Sequence, residues 1–138
     1  ITSLSDERTK EDIEFADIAR CLSDVERLPV KRFKFKDWAR PNPIDVHRTG
    51  FIAQDMEQVF PKNIITADLE LPVFEKNGNE VMENVTDENG NVVYEDDGVT
   101  PKKQRKVQVV KDCKEMSTET LLPTLWGAVQ YLSKKVNS

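Results

Sequence analysis

The sequence is poor in aromatic and apolar residues, which limits the size of the core it can build. Aromatic residues make up 7% of the 138 residues and hydrophobic residues 38%, whereas charged residues reach 33%. The length fits one domain with a single core. A core this lean favours oligomerisation, because a neighbouring chain can bury apolar surface that one chain leaves exposed.

Histidine and cysteine are scarce, and their spacing indicates neither a metal site nor a redox motif. His47 is the one histidine, and Cys21 and Cys113 are the two cysteines. Neither cysteine belongs to a Cys-x-x-Cys pair or has a histidine at ligand spacing, so both are predicted to be buried free thiols. No metal or cofactor is expected. A lone histidine of this kind is more often structural than catalytic.

The chain lacks positive net charge and long apolar runs. Its formal net charge of −5 argues against non-specific binding to nucleic acid or anionic membranes. The basic run 102–106 has no aromatic residue on which a base could stack, and it is interpreted as a solvated charge run. No apolar run approaches the roughly 18 residues of a membrane span, and no signal-like segment opens the chain. We therefore expect no nucleic acid, membrane or small-molecule partner.

The stretch whose residue types best suit catalysis is the hexad Ser5-Asp6-Glu7-Arg8-Thr9-Lys10. A hydroxyl and an amine five residues apart can act as a nucleophile and its base if the backbone brings them together. The same stretch also suits a helix N-cap followed by solvated charges. Because residues five apart point in different directions on a helix or a strand, a Ser5–Lys10 pair requires a turn between them.

Hydrophobic periodicity predicts a mixed α+β fold with short helices, antiparallel strands and a long C-terminal helix. Asp17 is predicted to cap a helix over 17–28, and a second helix is predicted over 55–60. Strands are predicted over 30–36, 49–54, 63–67 and 107–110. Pro41-Asn42-Pro43 is predicted to form a loop. Two Asn-Gly dipeptides predict hairpins over 73–82 and 86–95 with type I′ turns.

The C-terminal segment predicts a helix with one heptad stripe. Ser117 is its predicted N-cap, and Pro123 is tolerable there because the helix has barely begun. The stripe consists of Leu122, Leu125, Val129, Leu132 and Val136. Its spacing suits self-association and packing within the chain equally well. Gly127 weakens a helix interior, so its presence predicts close approach by a neighbouring backbone.

Three blocks of the chain together resemble the endosialidase-type C-terminal intramolecular chaperone domain of bacteriophage tailspikes, tail fibres and neck appendages, which also occurs in myelin regulatory factors. The first block is 5–13, with the hexad. The second is 48–55, Arg-Thr-Gly-Phe-Ile-Ala-Gln-Asp, followed by Val-Phe-Pro at 59–61, and the third is the leucine-rich helix entered through Ser117 and 121–123. The resemblance covers nearly everything from Ser5 to Val136.

The resemblance implies a homotrimer that helps the upstream portion of its own polypeptide to assemble and then cuts itself off between Leu4 and Ser5. Ser5 would be the nucleophile and Lys10 the base. Lys10 must be uncharged to take the proton, which requires partial burial or a nearby cation such as Arg8. The remaining candidate supporting residues are Asp6, His47 and Gly50, of which His47 and the backbone near Gly50 are candidate oxyanion donors.

The resemblance also implies a domain organisation and a place of action. Residues 1–4 would be a remnant of the upstream protein, 5–138 the chaperone domain, and 72–106 a hairpin-rich insertion of unknown role. The domain would act in the host cytoplasm during virion assembly and be absent from the mature virion. Thr9 replaces an apolar residue of many relatives, which predicts looser packing around Lys10. The start at Ile1 without a methionine suggests a piece of a longer protein.

Two other functions remain open from the sequence. The first is a trimeric cap or interaction module that does not cleave itself, with Ser5 and Lys10 as a cap and a surface charge. The second is a receptor- or carbohydrate-binding tip built on the hairpins, Trp38 and Trp126. That alternative is the weaker, because aromatic residues are few and Trp126 is predicted to be packed.

Overall fold

The structure, a computed structural model, describes residues 2–41 and 46–138; Ile1 and the Asn42-Pro43 part of the predicted loop lie outside the described residues. The helices are α1 (Ile18–Arg27), α2 (Ala53–Val59) and α3 (Leu121–Val136). The strands are β1 (Lys31–Phe33), β2 (Arg48–Gly50), β3 (Ile64–Pro72), β4 (Met82–Asn84), β5 (Lys103–Arg105) and β6 (Val107–Met116). They pair in antiparallel two-stranded sheets, β1–β2, β3–β6 and β4–β5, which confirms the α+β class.

The chain divides into two compact units rather than packing around the single predicted core. The first unit combines Ile1–Leu28 with Ser117–Ser138, and the second is Pro29–Met116. Each unit has its own few buried apolar side chains, which are Leu28 and Ala128 in the first and Met56 and Val59 in the second. A chain this low in apolar residues distributes its burial over two small clusters. None of the helices in the described ranges is long and apolar enough to cross a membrane.

In the first unit, α1 packs against α3. Asp17 caps α1 as predicted, because its side chain accepts a hydrogen bond from the Arg20 N–H. Gly127 and Ala128 of α3 are buried. A Cβ placed on Gly127 would lie 2.7 Å from Cys21 Sγ and 3.1 Å from Cys21 Cβ. A neighbouring helix, α1, therefore does lie close to the glycine, but the nearest atoms belong to the Cys21 side chain rather than to the predicted backbone.

The start of α3 differs from the prediction. The helix begins at Leu121 with Thr120 as its N-cap residue, whereas Ser117 lies ahead of it and accepts a 3.4 Å hydrogen bond from the Glu119 N–H. Pro123 is the third helical residue, where a backbone N–H would have no partner within the helix. Pro123 therefore lies in the first turn of the helix, as expected. The N-cap is Thr120 rather than the predicted Ser117.

In the second unit, α2 supplies the buried side chains and β1 pairs with β2. Met56 is fully buried, and Val59 nearly so. Gly50 ends β2 against Phe33 of β1, and a Cβ at position 50 would lie 3.1 Å from that ring. Both strands are shorter than predicted. Phe35 lies beyond β1 and packs edge-on against Phe33, with 5.4 Å between the ring centroids. The strand predicted over 49–54 ends at Gly50, and residues 53–54 belong to α2.

Strands β3 and β6 form a long ribbon with one bulge. Ladder pairing shifts between Ala67 and Leu69, where Asp68 faces both Lys111 and Asp112. Asp112 adopts a left-handed backbone with φ of 50°, and its N–H donates to the Asp68 carboxylate at 3.0 Å. Charged residues interrupt the apolar ones in both strands, at Asp68 and Glu70 in β3 and at 111–112 and 114–115 in β6. Hydrophobic pattern alone therefore predicted only parts of the two strands.

The insertion between β3 and β6 is joined to the ribbon by a ring of three backbone hydrogen bonds. The Val73 N–H donates to the Lys106 carbonyl, Lys106 donates to Val81, and Val81 donates to Val73, at 3.0, 2.9 and 2.8 Å. A second ring of the same kind consists of Val85, Val93 and Lys102. Three turns close this insertion, at Gly78, Gly90 and Gly98, each with positive φ.

The two predicted hairpins are present, but the prediction of their turn type is wrong. In the first, the Gly78 N–H bonds to the Glu75 carbonyl and Glu75 pairs with Asn79, so Gly78 alone takes the left-handed conformation. Asn77 instead accepts the Asn79 N–H with its side chain. This is a type I turn with a glycine bulge rather than type I′. The turn at Gly98 was not predicted, although its Asp-Gly dipeptide is the same kind of signal.

Candidate functional site

The hexad folds as a single turn of 3₁₀ helix, Glu7–Thr9, between two extended residues. Asp6 is its N-cap, and Lys10 follows it. The Thr9 N–H donates to the Asp6 carbonyl at 3.0 Å, and the Lys10 N–H to the Glu7 carbonyl at 3.1 Å. This one turn is the bend that a pairing of Ser5 with Lys10 requires.

Because of that turn, the Lys10 side chain reaches back to Ser5. Lys10 Nζ donates a hydrogen bond to Ser5 Oγ at 3.0 Å. This is within the distance at which a base can take a proton from a hydroxyl. The predicted turn is confirmed, and the catalytic role of the pair stays a prediction.

Asp6 and Arg8 form a charged pair beside these two residues. Arg8 donates from NH2 to Asp6 Oδ2 at 2.8 Å and from Nε to Oδ1 at 3.0 Å. The side-chain bonds from Arg8, followed by its backbone N–H, hold the pKa of the Asp6 carboxyl below its ordinary value. The same pair raises the pKa of Arg8. The guanidinium charge is therefore compensated by Asp6, and the expected effect of Arg8 on Lys10 stays a prediction.

Thr9 contributes to the turn through its hydroxyl. Thr9 Oγ1 donates to the Asp6 carbonyl oxygen at 2.6 Å. An apolar side chain at this position could not make this bond. The replacement that was expected to loosen the segment adds a hydrogen bond to it.

Water has access to the whole hexad. Every residue from Thr2 to Asp17 is exposed, including Ser5 and Lys10, and Leu4 retains 79% of its accessible surface. The partial burial that an uncharged Lys10 requires is therefore not provided within this unit.

The candidate oxyanion residues belong to the second unit. His47 is exposed and directly precedes β2, and Gly50 is the last residue of that strand. Their proposed role in cleavage stays a prediction. The structure brings together Ser5, Asp6 and Lys10 within the first unit.

The heptad stripe of α3 lies on a face that α1 does not cover. The face toward α1 carries Gly127 and Ala128, whereas the stripe residues remain 47–82% exposed. These residues are Leu122, Leu125, Val129, Leu132 and Val136. The alternative of packing within the chain is therefore not realised in this unit. An exposed apolar face of this length is typical of an interaction surface.

A groove beside the stripe was missed by the sequence analysis. Phe15 is fully exposed at its edge, and Trp126, predicted to be packed, is 65% exposed. The groove is lined mainly by Phe15, Ile18, Leu122, Leu125, Trp126 and Val129. Phe15 lies ahead of α1, so the apolar periodicity of that helix does not include it.

The other chemistry-bearing residues do not converge. Cys21 and Cys113 are free and half-buried, rather than buried as predicted. Residues 102–106 are exposed, in agreement with a solvated charge run. No group of three histidine, cysteine or carboxylate residues that could hold a metal ion occurs in the part of the chain that the structure describes.

Comparison with known proteins finds a family whose model covers the hexad. A peptidase family model described as the chaperone of endosialidase matches residues 5–65, so the match begins at Ser5. It confirms the resemblance to this family and supports an intramolecular chaperone role. No curated protein matches the chain.

Proposed function

Because residues 5–65 match the chaperone-of-endosialidase family, we propose that the chain is a trimerising intramolecular chaperone that releases itself by cleaving the Leu4–Ser5 bond. Its partners are two further copies of the chain and the upstream part of its own polypeptide, a protein of the phage fibre or tailspike type. Assembly takes place in the host cytoplasm, and the released domain is absent from the mature virion. The observation that carries this proposal is the 3.0 Å hydrogen bond between Lys10 and Ser5 across one 3₁₀ turn.

The proposed reaction starts with attack of Ser5 Oγ on the carbonyl carbon of Leu4. The Oγ proton passes to an uncharged Lys10, and Lys10 then protonates the Ser5 nitrogen as the C–N bond breaks. This leaves Leu4 as an ester on Ser5. Water hydrolyses the ester, which frees the Leu4 carboxylate and restores the hydroxyl. Because the nucleophile and the target carbonyl are neighbours in the chain, proximity replaces a substrate pocket.

Assembly would supply the partial burial of Lys10 that the first unit does not provide. Lys10 is exposed in this unit, whereas the proposed reaction requires partial burial of its amine. The exposed stripe and the groove containing Phe15 lie on the same unit as the hexad. Covering these surfaces with neighbouring copies would exclude water near the segment that follows Lys10. Cleavage is therefore expected only after the chains have assembled.

Mass measurement tests cleavage directly. A reporter domain is fused ahead of Ile1, and the denatured mass is followed in the parent, Ser5→Ala and Lys10→Ala. The parent should release the reporter with a new N-terminus at Ser5, and both variants should remain full length while still assembling. Ser3→Ala and Lys36→Ala, which change the same residue types outside the hexad, should cleave like the parent. A parent that assembles but stays intact contradicts self-cleavage.

A non-cleaving trimeric cap is the second candidate, and the exposure of the hexad favours it. In that case Asp6 caps a surface turn, and the Lys10–Ser5 bond is one more surface contact. The two functions differ in the same experiment, because a cap keeps its reporter indefinitely under conditions in which it is fully assembled.

A further inference from the structure

Five hydrogen bonds of the turn end on Asp6. Its Oδ1 accepts the Arg8 N–H at 2.9 Å and Nε at 3.0 Å, and its Oδ2 accepts Arg8 NH2 at 2.8 Å. Its carbonyl oxygen accepts the Thr9 N–H at 3.0 Å and the Thr9 hydroxyl at 2.6 Å. Asp6 directly follows Ser5, so it is the residue from which the turn toward Lys10 starts.

We propose that Asp6 is a positioning residue for the Ser5–Lys10 pair, acting through the N-cap hydrogen bond from the Arg8 backbone N–H to its carboxylate. This inference rests on the proposed function. The cap fixes the start of the 3₁₀ turn, and the turn determines that Lys10 Nζ lies 3.0 Å from Ser5 Oγ. Without the cap, residues 7–9 return to extended backbone, which separates the two groups.

The backbone cap, rather than the ion pair, carries this role. The Arg8 side chain is 85% exposed and the Asp6 side chain 42%, and ion pairs this exposed contribute little and are screened by salt. A 3₁₀ turn of three residues has few internal hydrogen bonds, so losing its cap removes a large fraction of them. The lowered pKa of Asp6 keeps its carboxylate ionised at neutral pH, as an acceptor for both groups of Arg8.

Substitutions at Asp6 separate the cap from the charge. Asp6→Asn keeps a side-chain oxygen at the capping position and loses the charge. Asp6→Glu keeps the charge but moves the carboxylate one methylene away, and Asp6→Ala removes both. Glu7→Gln is the matched control, because it removes one negative charge from the same turn without changing the cap.

The readout is the rate of reporter release from the full chain, compared at equal assembly. Asp6→Asn and Glu7→Gln should cleave within about twofold of the parent, and Asp6→Ala and Asp6→Glu about fivefold more slowly, since a lost cap shifts a local equilibrium by roughly that factor. Rescue by asparagine is an effect that general destabilisation would not give. The rate of the parent should also be nearly independent of salt.

Other results overturn the inference in distinguishable ways. Parental rates in Asp6→Ala show that the turn forms without the cap. A slow Asp6→Asn beside a fast Asp6→Glu assigns the role to the ion pair, and a marked decrease in rate with salt does the same. If the assembled parent and every variant stay intact, the proposed function fails, and the positioning role fails with it.

Discussion

Gly127 on α3 and Cys21 on α1 lie so close that a Cβ on the glycine would fall 2.7 Å from Cys21 Sγ. This contact explains a glycine in the middle of a helix. It also determines which face of α3 is covered and which remains available to a partner.

Gly127→Ala should destabilise the first unit. Alanine improves helix propensity by about 1 kcal/mol, but overpacking a close helix contact costs about 1–3 kcal/mol. The net effect should lower the free energy of unfolding, measured as a lower urea midpoint. Cys21→Ala in the same chain removes Sγ and should recover part of the loss. Gln130→Ala, on the exposed side of α3, should have little effect. An unchanged midpoint in Gly127→Ala contradicts close packing at this position.

Introducing a charge on the α3 stripe should prevent assembly. Leu125→Glu and Leu132→Glu place a carboxylate in the proposed seam, where it would be buried without a partner. Mass measurement across concentration should find a trimer for the parent and a monomer for both variants, and release of a fused reporter should stop in them. Val99→Glu is the control, because Val99 is 76% exposed in a turn of the insertion. Trimers that persist with Leu125→Glu would assign assembly to another surface.

The β3–β6 bulge should remain intact in mild acid. The Asp112 N–H, followed by the Lys111 ammonium, holds the pKa of the Asp68 carboxyl below its ordinary value. Since the folded pKa lies below the unfolded one, the carboxylate contributes stability that is fully present above the unfolded pKa. That contribution is lost as pH falls through the folded pKa. The carboxyl carbon resonance of Asp68 should therefore titrate at lower pH than that of an unstructured aspartate. Amide hydrogen exchange at Asp112 should become faster as the Asp68 carboxylate is protonated, and Asp68→Asn should remove this pH dependence. A titration at the ordinary value contradicts the contact.

Local patterns predicted those parts of the fold that depend on near neighbours. Asp17 caps α1, and α2 forms close to its predicted range, because the start of a helix and its apolar stripe are properties of a few adjacent residues. The turn between Ser5 and Lys10 was expected on the condition that the two residues pair, because their spacing prevents pairing along a regular helix or strand. In contrast, the type of the Asn-Gly turns depends on the ladder register around them, which the dipeptide does not contain.

Long-range and assembly-dependent features were not accessible from the pattern. Charged residues interrupt the hydrophobic pattern in part of β3 and of β6, and the pairing of the two strands depends on residues distant in sequence. The proposed role of Asp6 depends on the directions of hydrogen bonds within a turn, which composition cannot show. Whether the α3 stripe packed within the chain or faced outward depended on α1, which contacts Gly127 instead.

The ring of hydrogen bonds at Val73, Val81 and Lys106 has a consequence for how this region tolerates change in length. The chain enters the insertion at Val73 and leaves it at Lys106, and these two residues already bond to each other. The two ends of the insertion are thus held at the spacing of an ordinary ladder pair. A short turn could replace everything between them, and further hairpins could be added at the glycine turns, without changing the register of β3 and β6. Segments of different length can therefore be exchanged on this ribbon without altering the pairing of its two strands.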